Sequence, residues 1–213
     1  MKIIPAILTD NPEEIKQKIS QVEGLFDRVQ IDIIDGEFAN NRAGGLEALS
    51  FIETSLVIDI HLMTKEPSDW VEKSVRAQAD RIIGQVEKMS DQFEFVAKVQ
   101  EVGLSVGLAL DLETQVETLE KEVLRDLDVI LIMAVSAGFQ GQEFNKTALD
   151  KVKTLAEIRR VQDCRYKICV DGGVEAGNVK EISDAGADEV VAGSSLFEGN
   201  LDENINNFME ALR

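Results

Sequence analysis

The chain has few cysteines and no long apolar run. Its 213 residues include only 2 cysteines, Cys164 and Cys169, and they do not form a CxxC motif. Two such thiols imply no disulfide framework and suit a reducing compartment, so we expect a cytoplasmic protein. No apolar stretch approaches the ~18 residues of a membrane span, and the first residues become acidic too early for a signal peptide. The sequence therefore gives no indication of secretion or of membrane insertion.

Positive charge is also scarce in this sequence. There are 22 lysines and arginines against 40 aspartates and glutamates, which gives a formal net charge of −18. Because such a surface repels polyanions, we expect neither nucleic acid nor an anionic membrane as a partner. A phosphate ligand would have to be held by backbone N–H groups and local dipoles, since the overall field opposes its binding.

No linker rich in Pro, Ser or Gly interrupts the chain, so we predict a single domain over residues 1–213. Short β-branched runs alternate about eight times with longer amphipathic stretches, a pattern typical of an α/β protein with a (β/α)₈ TIM barrel. A doubly wound sheet is the alternative, but no G-x-G-x-x-G follows the first strand. The predicted strands are 3–8, 28–34, 56–63, 81–86, 104–110, 129–135, 166–170 and 189–192. The predicted helices are 12–23, 45–54, 68–77, 91–102, 115–124, 147–160, 178–185 and 202–213.

Three ionisable residues lie at or near the C-terminal ends of predicted strands. Because strand side chains alternate between two faces, Asp32 shares a face with Gln30, and His61 shares a face with Met63. Asp171 follows the seventh strand in the same way. Helices should cover the outside of the barrel, so these polar faces should point inward. Since active sites of such barrels lie at this end, the sequence predicts an acid–base site there.

Each of these residues also has a structural interpretation. A single histidine in a strand, such as His61, is more often a hydrogen-bonded core residue than a ligand. An aspartate at a strand end, such as Asp32 or Asp171, often only caps the following loop. A buried carboxylate is unfavourable unless it is paired, hydrogen-bonded or bound to a metal, so packing alone does not readily explain all three together.

Loops that contain glycine follow the last three predicted strands. Barrels of this class commonly bind phosphate at such loops, where backbone N–H groups point at the anion and glycine allows close approach. Ordinary tight turns are the alternative interpretation. The predicted substrate- and phosphate-binding residues are His61, Met63, Gly138, Phe139, Gln140, Gly141, Gly172, Gly173, Gly193 and Ser194.

Five segments together resemble the ribulose-phosphate 3-epimerase family in order and spacing, namely residues 5–8, 31–38, 59–63, 132–142 and 170–173. The resemblance runs nearly end to end and implies a (β/α)₈ barrel that epimerises C3 of a ketose phosphate, such as ribulose 5-phosphate. In the family, two aspartates act as base and acid on opposite faces of that carbon through an enediolate. Asp32 and Asp171 match them. A divalent metal, held by these aspartates and two histidines, polarises the carbonyl group.

The sequence departs from the family at the metal site. His61 matches one of the two histidines, but Gln30 stands where the other is expected. An amide oxygen is a poorer zinc ligand than imidazole. We therefore predict that Asp32, His61 and Asp171 hold a divalent metal such as Zn²⁺, Mn²⁺ or Fe²⁺ weakly or not at all. Other departures are Ala6 for a serine, Glu37 and Gln85 for histidines, and Gln140 for a glycine.

Three functions are compatible with these residues. The first is a 3-epimerase acting on a pentulose or hexulose phosphate, which the retention of Asp32 and Asp171 favours. The second is a non-catalytic or weakly active sugar-phosphate-binding homologue that has lost the metal site, which Gln30 favours. The third is another enzyme on the same barrel, such as an isomerase or aldolase-like lyase. Related decarboxylases carry Asp-x-Lys-x-x-Asp, and residues 32–35 lack that lysine. We expect a small sugar phosphate as ligand and a homo-oligomer.

Overall fold

The computed structural model describes residues 1–139 and 141–213 and contains a closed barrel of eight parallel strands with helices around it. Each predicted strand is confirmed to within one or two residues, and β1 (Lys2–Ile7) pairs with both β2 (Arg28–Asp35) and β9 (Glu189–Ala192) to close the barrel. A two-residue strand, β3 (Arg42–Ala43), pairs antiparallel with the end of β2. The strands are β1 (Lys2–Ile7), β2 (Arg28–Asp35), β3 (Arg42–Ala43), β4 (Val57–Met63), β5 (Arg81–Gln85), β6 (Ser105–Leu110), β7 (Val129–Met133), β8 (Lys167–Asp171) and β9 (Glu189–Ala192).

The helices follow the strands around the outside of the barrel. In the described residues they are α1 (Pro12–Val22), α2 (Leu46–Leu49), α3 (Val71–Arg76), α4 (Gln92–Glu101), α5 (Ala148–Gln162), α6 (Val179–Ala185), α7 (Ser194–Phe197) and α8 (Leu201–Ala211). Short 3₁₀ turns lie at Pro67–Trp70, Val86–Lys88, Val116–Thr118 and Val123–Arg125. No helix in the described part of the chain has the length and apolar character needed to cross a membrane.

The predicted helix over residues 115–124 is wrong. Two 3₁₀ turns replace it, and Leu119 between them has an extended backbone with φ −69° and ψ 128°. The Gln92 side chain of α4 donates to the Thr118 carbonyl at 2.8 Å and accepts from the Glu120 N–H at 3.0 Å. A side chain from another element thus satisfies backbone groups that a helix would pair internally.

Strand alternation separates two apolar layers. Outward residues such as Ile31, Ile33 and Leu62 pack beneath the helices. Inward residues such as Ile34 and Met63 fill the barrel itself. The predicted inward face of β2 and β4, which also carries the polar residues, therefore has the orientation that the sequence pattern indicated.

A buried ionic cluster lies inside the barrel on the same inward faces. Arg81 donates to Asp59 at 2.5 Å and to Glu189 at 3.0 Å, Arg28 also pairs with Asp59, and Lys167 lies 2.9 Å from Glu189. Burial raises the pKa of Asp59 despite the two arginines. Burial opposes ionisation of Glu189 as well, but the charges of Arg81 and Lys167 outweigh it and lower the pKa of Glu189. Arg81 thus balances two carboxylates deep in the core.

Candidate active site

The strand register brings the three ionisable residues together at the C-terminal end of the barrel. Asp32 of β2 is the direct neighbour of His61 in β4, and Asp171 ends β8. The His61 Nδ1 atom lies 3.1 Å from Asp32 Oδ1 and 4.0 Å from Asp171 Oδ2. One ligand atom from each of the three residues lies within 4.8 Å of the others. One small molecule or ion can therefore contact all three groups.

Gln30 connects the two carboxylates of this cluster. Its Nε2 atom donates to Asp32 Oδ1 at 2.8 Å and to Asp171 Oδ2 at 2.7 Å. The Gln30 side chain is fully buried, and its Oε1 atom has no hydrogen-bond partner among the described residues. Both amide hydrogens are thus used to hold the aspartates, which lie 139 positions apart in the sequence.

The charges at this site favour a single proton on the carboxylate pair. Burial, and next the negative charge of Asp32, raise the pKa of Asp171 to about 7, against the opposing effects of His61, Gln30 and the Gly172 N–H. Two neighbouring carboxylates titrate apart because the charge of one disfavours ionisation of the other. Near neutral pH the site can therefore hold one acid and one base.

Only three residues of this site could act as metal ligands. Asp32, His61 and Asp171 form a cluster that could hold a divalent ion. The fourth position of the family site carries the Gln30 amide, whose nitrogen bears two hydrogens and has no lone pair to offer a metal. Those hydrogens point at Asp32 Oδ1 and Asp171 Oδ2, which also lie 3.1 and 4.0 Å from His61 Nδ1. The four-residue site of the family is therefore not reproduced here.

A cavity of about 740 Å³ opens beside the cluster. Asp32 and Asp171 line it, whereas His61 is fully buried and does not. Gln140, which we predicted to contact phosphate, lies outside the described residues. The other predicted substrate- and phosphate-binding residues all line the cavity, namely Met63, Gly138, Phe139, Gly141, Gly172, Gly173, Gly193 and Ser194. Their roles stay predictions.

Two polar residues outside the predicted site residues fix the loop after β8. Asn178 Nδ2 donates to the Gly173 carbonyl at 2.8 Å, and its Oδ1 accepts from the Glu175 N–H at 3.0 Å. Ser195 Oγ donates to the Val174 carbonyl at 2.6 Å. The one available signal for Asn178 was its position immediately before α6, where asparagine commonly caps a helix.

The cavity also has an acidic rim that the sequence analysis did not identify. Four glutamates line it, and Lys146 among the lining residues lies 2.8 Å from one of them, Glu181. An anion in this cavity would therefore depend on backbone N–H groups and local dipoles. The lining glutamates are Glu143, Glu175, Glu181 and Glu198.

Gly173 is held between two loops at the cavity wall. Its φ is +63°, a left-handed conformation that residues other than glycine rarely adopt. An added Cβ would overlap the Phe144 backbone nitrogen and lie 2.8 Å from Phe144 Cα. A hydrogen bond also connects the loop after β7 to the loop after β2, because Asn41 Nδ2 donates to the Gly138 carbonyl at 3.1 Å. Glycine is therefore required at residue 173 by both the backbone angle and the close approach.

The sequence matches the Ribulose-phosphate 3 epimerase family over residues 2–197. A Treponema pallidum protein named ribulose-phosphate 3-epimerase is 35% identical over 175 residues, covering 81% of this chain and 80% of that protein. A Bacillus subtilis protein of the same name is 34% identical over 205 residues, covering 92% of each. The structure of a 3-hexulose-6-phosphate synthase from Salmonella typhimurium has a TM-score of 0.74 at 16% identity, covering 100% of this chain and 98% of that chain. At that identity the structural likeness shows the barrel fold alone.

Proposed function

The chain belongs to the ribulose-phosphate 3-epimerase family, and from this premise we propose that it interconverts ribulose 5-phosphate and xylulose 5-phosphate or a similar pair of ketose phosphates. The observation that carries the proposal is the pair of carboxylates, Asp32 and Asp171, which line one cavity and bond to one amide. The expected cytoplasmic location and homo-oligomeric state stay predictions.

The proposed mechanism uses one aspartate as base and the other as acid. The base removes the C3 proton, and the electron pair of that C–H bond forms the C2–C3 double bond of an enediolate. The acid then returns a proton to C3 from the opposite face, which inverts the carbon. Asp32 and Asp171 exchange roles in the reverse direction. We propose that a bound water stabilises the charge that develops on the C2 oxygen, because both Gln30 amide hydrogens are engaged by the aspartates.

We propose that the phosphate group lies at the loops after β7, β8 and β9. Backbone N–H groups of glycine-bearing loops approach anions closely, and such loops after the last strands commonly bind phosphate in this fold. The negative charges of the glutamates that line the cavity repel an anion, so its binding depends on these N–H groups. The residues concerned are Gly138, Gly141, Gly172, Gly173, Gly193 and Ser194.

Replacing Gly173 with alanine is expected to weaken phosphate binding. The new Cβ cannot be placed beside Phe144 at φ +63°, so the loop after β8 must move away from the anion. Loss of one hydrogen bond to a charged group corresponds to about 10–100-fold weaker binding of inorganic phosphate. Isothermal titration calorimetry with inorganic phosphate measures this change.

Gly24→Ala is the matched control for that variant. Gly24 also has a positive φ, of +80°, but its Cβ would meet no described atom within 4 Å, and it lies before β2 at the other end of the barrel. This variant should lose some stability and keep its phosphate affinity. Equal phosphate affinity in both variants would place the anion elsewhere.

The epimerase activity is expected to fall as the pH rises above about 7. Burial, and then the charge of Asp32, raises the pKa of Asp171 to about 7, so the pair loses its only acidic proton above that pH. Because the reaction in either direction needs one protonated partner, kcat/KM should fall about tenfold per pH unit well above 7. Initial rates from both ketose phosphates between pH 6 and 9 test this, and a flat profile would contradict the shared-proton mechanism.

The direct test of the proposed function is an epimerase assay with ribulose 5-phosphate, run with chelated protein and with added Mn²⁺ or Zn²⁺. Formation of xylulose 5-phosphate that depends on Asp32 supports the proposal. The second candidate is a sugar-phosphate-binding protein without turnover, which the engagement of both carboxylates by Gln30 favours. Calorimetric binding of ribulose 5-phosphate without any product would indicate that second function.

A further inference from the structure

We propose that the Gln30 amide takes the place of a divalent ion between Asp32 and Asp171, and that it actively keeps metal out of the site. Gln30 is then a positioning residue that holds the two carboxylates together for chemistry without a bound metal. The claim about catalysis rests on the proposed function, whereas the claim about metal exclusion concerns the residues alone.

The Gln30 amide lies between the two carboxylates. Nε2 lies 2.8 Å from Asp32 Oδ1 and 2.7 Å from Asp171 Oδ2, so it occupies the space between the two oxygens. The same two oxygens are the ones nearest His61 Nδ1, at 3.1 and 4.0 Å. An ion held among these three residues would have to share the space between the carboxylates with the amide, whose hydrogens already point at these two oxygens.

The burial of Gln30 determines which way its amide faces. Oε1 is buried and has no partner in the described part of the chain, although a buried polar atom normally has one. Turning the amide would satisfy no carboxylate and would place Oε1 against two acidic oxygens. The observed orientation is therefore the stable one without metal, despite the unpaired Oε1.

Binding of a cation must then displace two hydrogen bonds to the carboxyl pair, at least one of them to a charged oxygen. From the usual strength of such bonds, we expect the amide to weaken metal binding by about 10–10³-fold relative to a site in which the carboxylates are free. This differs from the simpler idea that Gln30 is only a missing ligand. A missing ligand removes one source of affinity, whereas an amide N–H between the oxygens opposes the ion directly.

Gln30→Leu separates these two explanations, because leucine offers neither a ligand nor an N–H. If the amide opposes the ion, Gln30→Leu should bind Mn²⁺ or Zn²⁺ at least tenfold more tightly than the unmodified protein, measured by competition with a chromophoric chelator. If Gln30 is only a missing ligand, the leucine variant should bind no more tightly, and that result would overturn the proposal. Should the leucine variant fail to fold, Gln30→Met with Mn²⁺ serves the same purpose.

Gln30→His and Gln85→His complete the series. Gln85 is another fully buried glutamine, on the inward face of β5, and its amide faces the Ala109 carbonyl and Glu87 rather than Asp32 or Asp171. We expect Gln30→His to take up about one zinc per chain by elemental analysis, and Gln85→His to take up no more than the unmodified protein. Zinc uptake by both variants alike would show that any buried imidazole suffices and would overturn the specific role of residue 30.

The metal measurements need no substrate, so they stand apart from the proposed function. After dialysis against chelator, the unmodified protein should keep its epimerase rate, and Gln30→Asn, which retains an amide, should keep more of it than Gln30→Leu. Stoichiometric metal in the unmodified protein, or a rate that chelation abolishes and Mn²⁺ restores, would overturn this inference while leaving the epimerase assignment intact. If every epimerase assay fails while the metal affinities follow the expected order, the epimerase assignment falls and the inference about metal exclusion stands.

Discussion

Asp32→Asn and Asp171→Asn are each expected to lower kcat by about 10²–10⁴-fold, the usual effect of losing a general acid or base. An amide can neither accept nor deliver the C3 proton at the required pKa. In the proposed mechanism the two carboxylates act on opposite faces of C3, so neither can take over the role of the other. Steady-state rates with ribulose 5-phosphate measure the loss.

The stability of these variants distinguishes a catalytic role from misfolding. Burial and the charge of Asp32 raise the folded-state pKa of Asp171 to about 7, so its contribution to stability is complete at acid pH and is lost as the pH rises towards 7. Asparagine does not titrate. Asp171→Asn should therefore gain stability relative to the unmodified protein between about pH 4 and 7, and keep that gain above pH 7.

Asp128→Asn is the control for removing an aspartate near a strand. Asp128 is exposed, precedes β7 at the opposite end of the barrel, and accepts from the Val106 N–H at 2.8 Å. This variant should keep its epimerase rate. Normal rates in both Asp32→Asn and Asp171→Asn would remove the basis for the two-aspartate mechanism.

Arg81→Met is expected to destabilise the barrel by about 3–5 kcal/mol, the usual effect of removing one partner from a buried ion pair. Arg81 contacts both Asp59 and Glu189, and all three side chains are almost completely buried. Without it, Asp59 retains only Arg28. For a chain of this size the change corresponds to a melting temperature lower by about 6–20 °C.

The deficit of Arg81→Met should depend on pH. Burial already raises the pKa of Asp59, and loss of Arg81 removes an opposing charge, so the variant should recover stability as acid protonates Asp59. Arg160→Met is the matched control, because Arg160 pairs with Glu157 on the surface and should contribute little. Equal unfolding midpoints for the two variants in urea would contradict the importance of the buried cluster.

The barrel could be predicted from the sequence because its strands repeat a local signal. Residues such as Ile31 and Ile33 face the helices, while Asp32 faces inward, and this alternation is visible within a few residues. The helix predicted over 115–124 was wrong because the outcome depends on Gln92, which lies on another element and pairs with Thr118 and Glu120. Periodicity contains no information about such a contact.

The site was predictable in part for the same reason. The approach of Asp32 to His61 follows from adjacent parallel strands. The contact of Gln30 with Asp171 requires closure of the barrel through β1, because β1 and β9 separate β2 from β8, and no local pattern indicates it. Gln30 was recognised as a departure from the family, but its two hydrogen bonds emerge only when the residues are placed in three dimensions.

Proton exchange at C3 tests the central claim most directly. Protein dialysed against chelator is incubated with ribulose 5-phosphate in deuterated water, and the C3 proton is followed by NMR. We expect the C3 signal to disappear as xylulose 5-phosphate carrying deuterium at C3 accumulates, and we expect no such accumulation of xylulose 5-phosphate with Asp32→Asn. Retention of the C3 proton in the substrate, with no xylulose 5-phosphate formed by the unmodified protein with or without added Mn²⁺, would contradict the account.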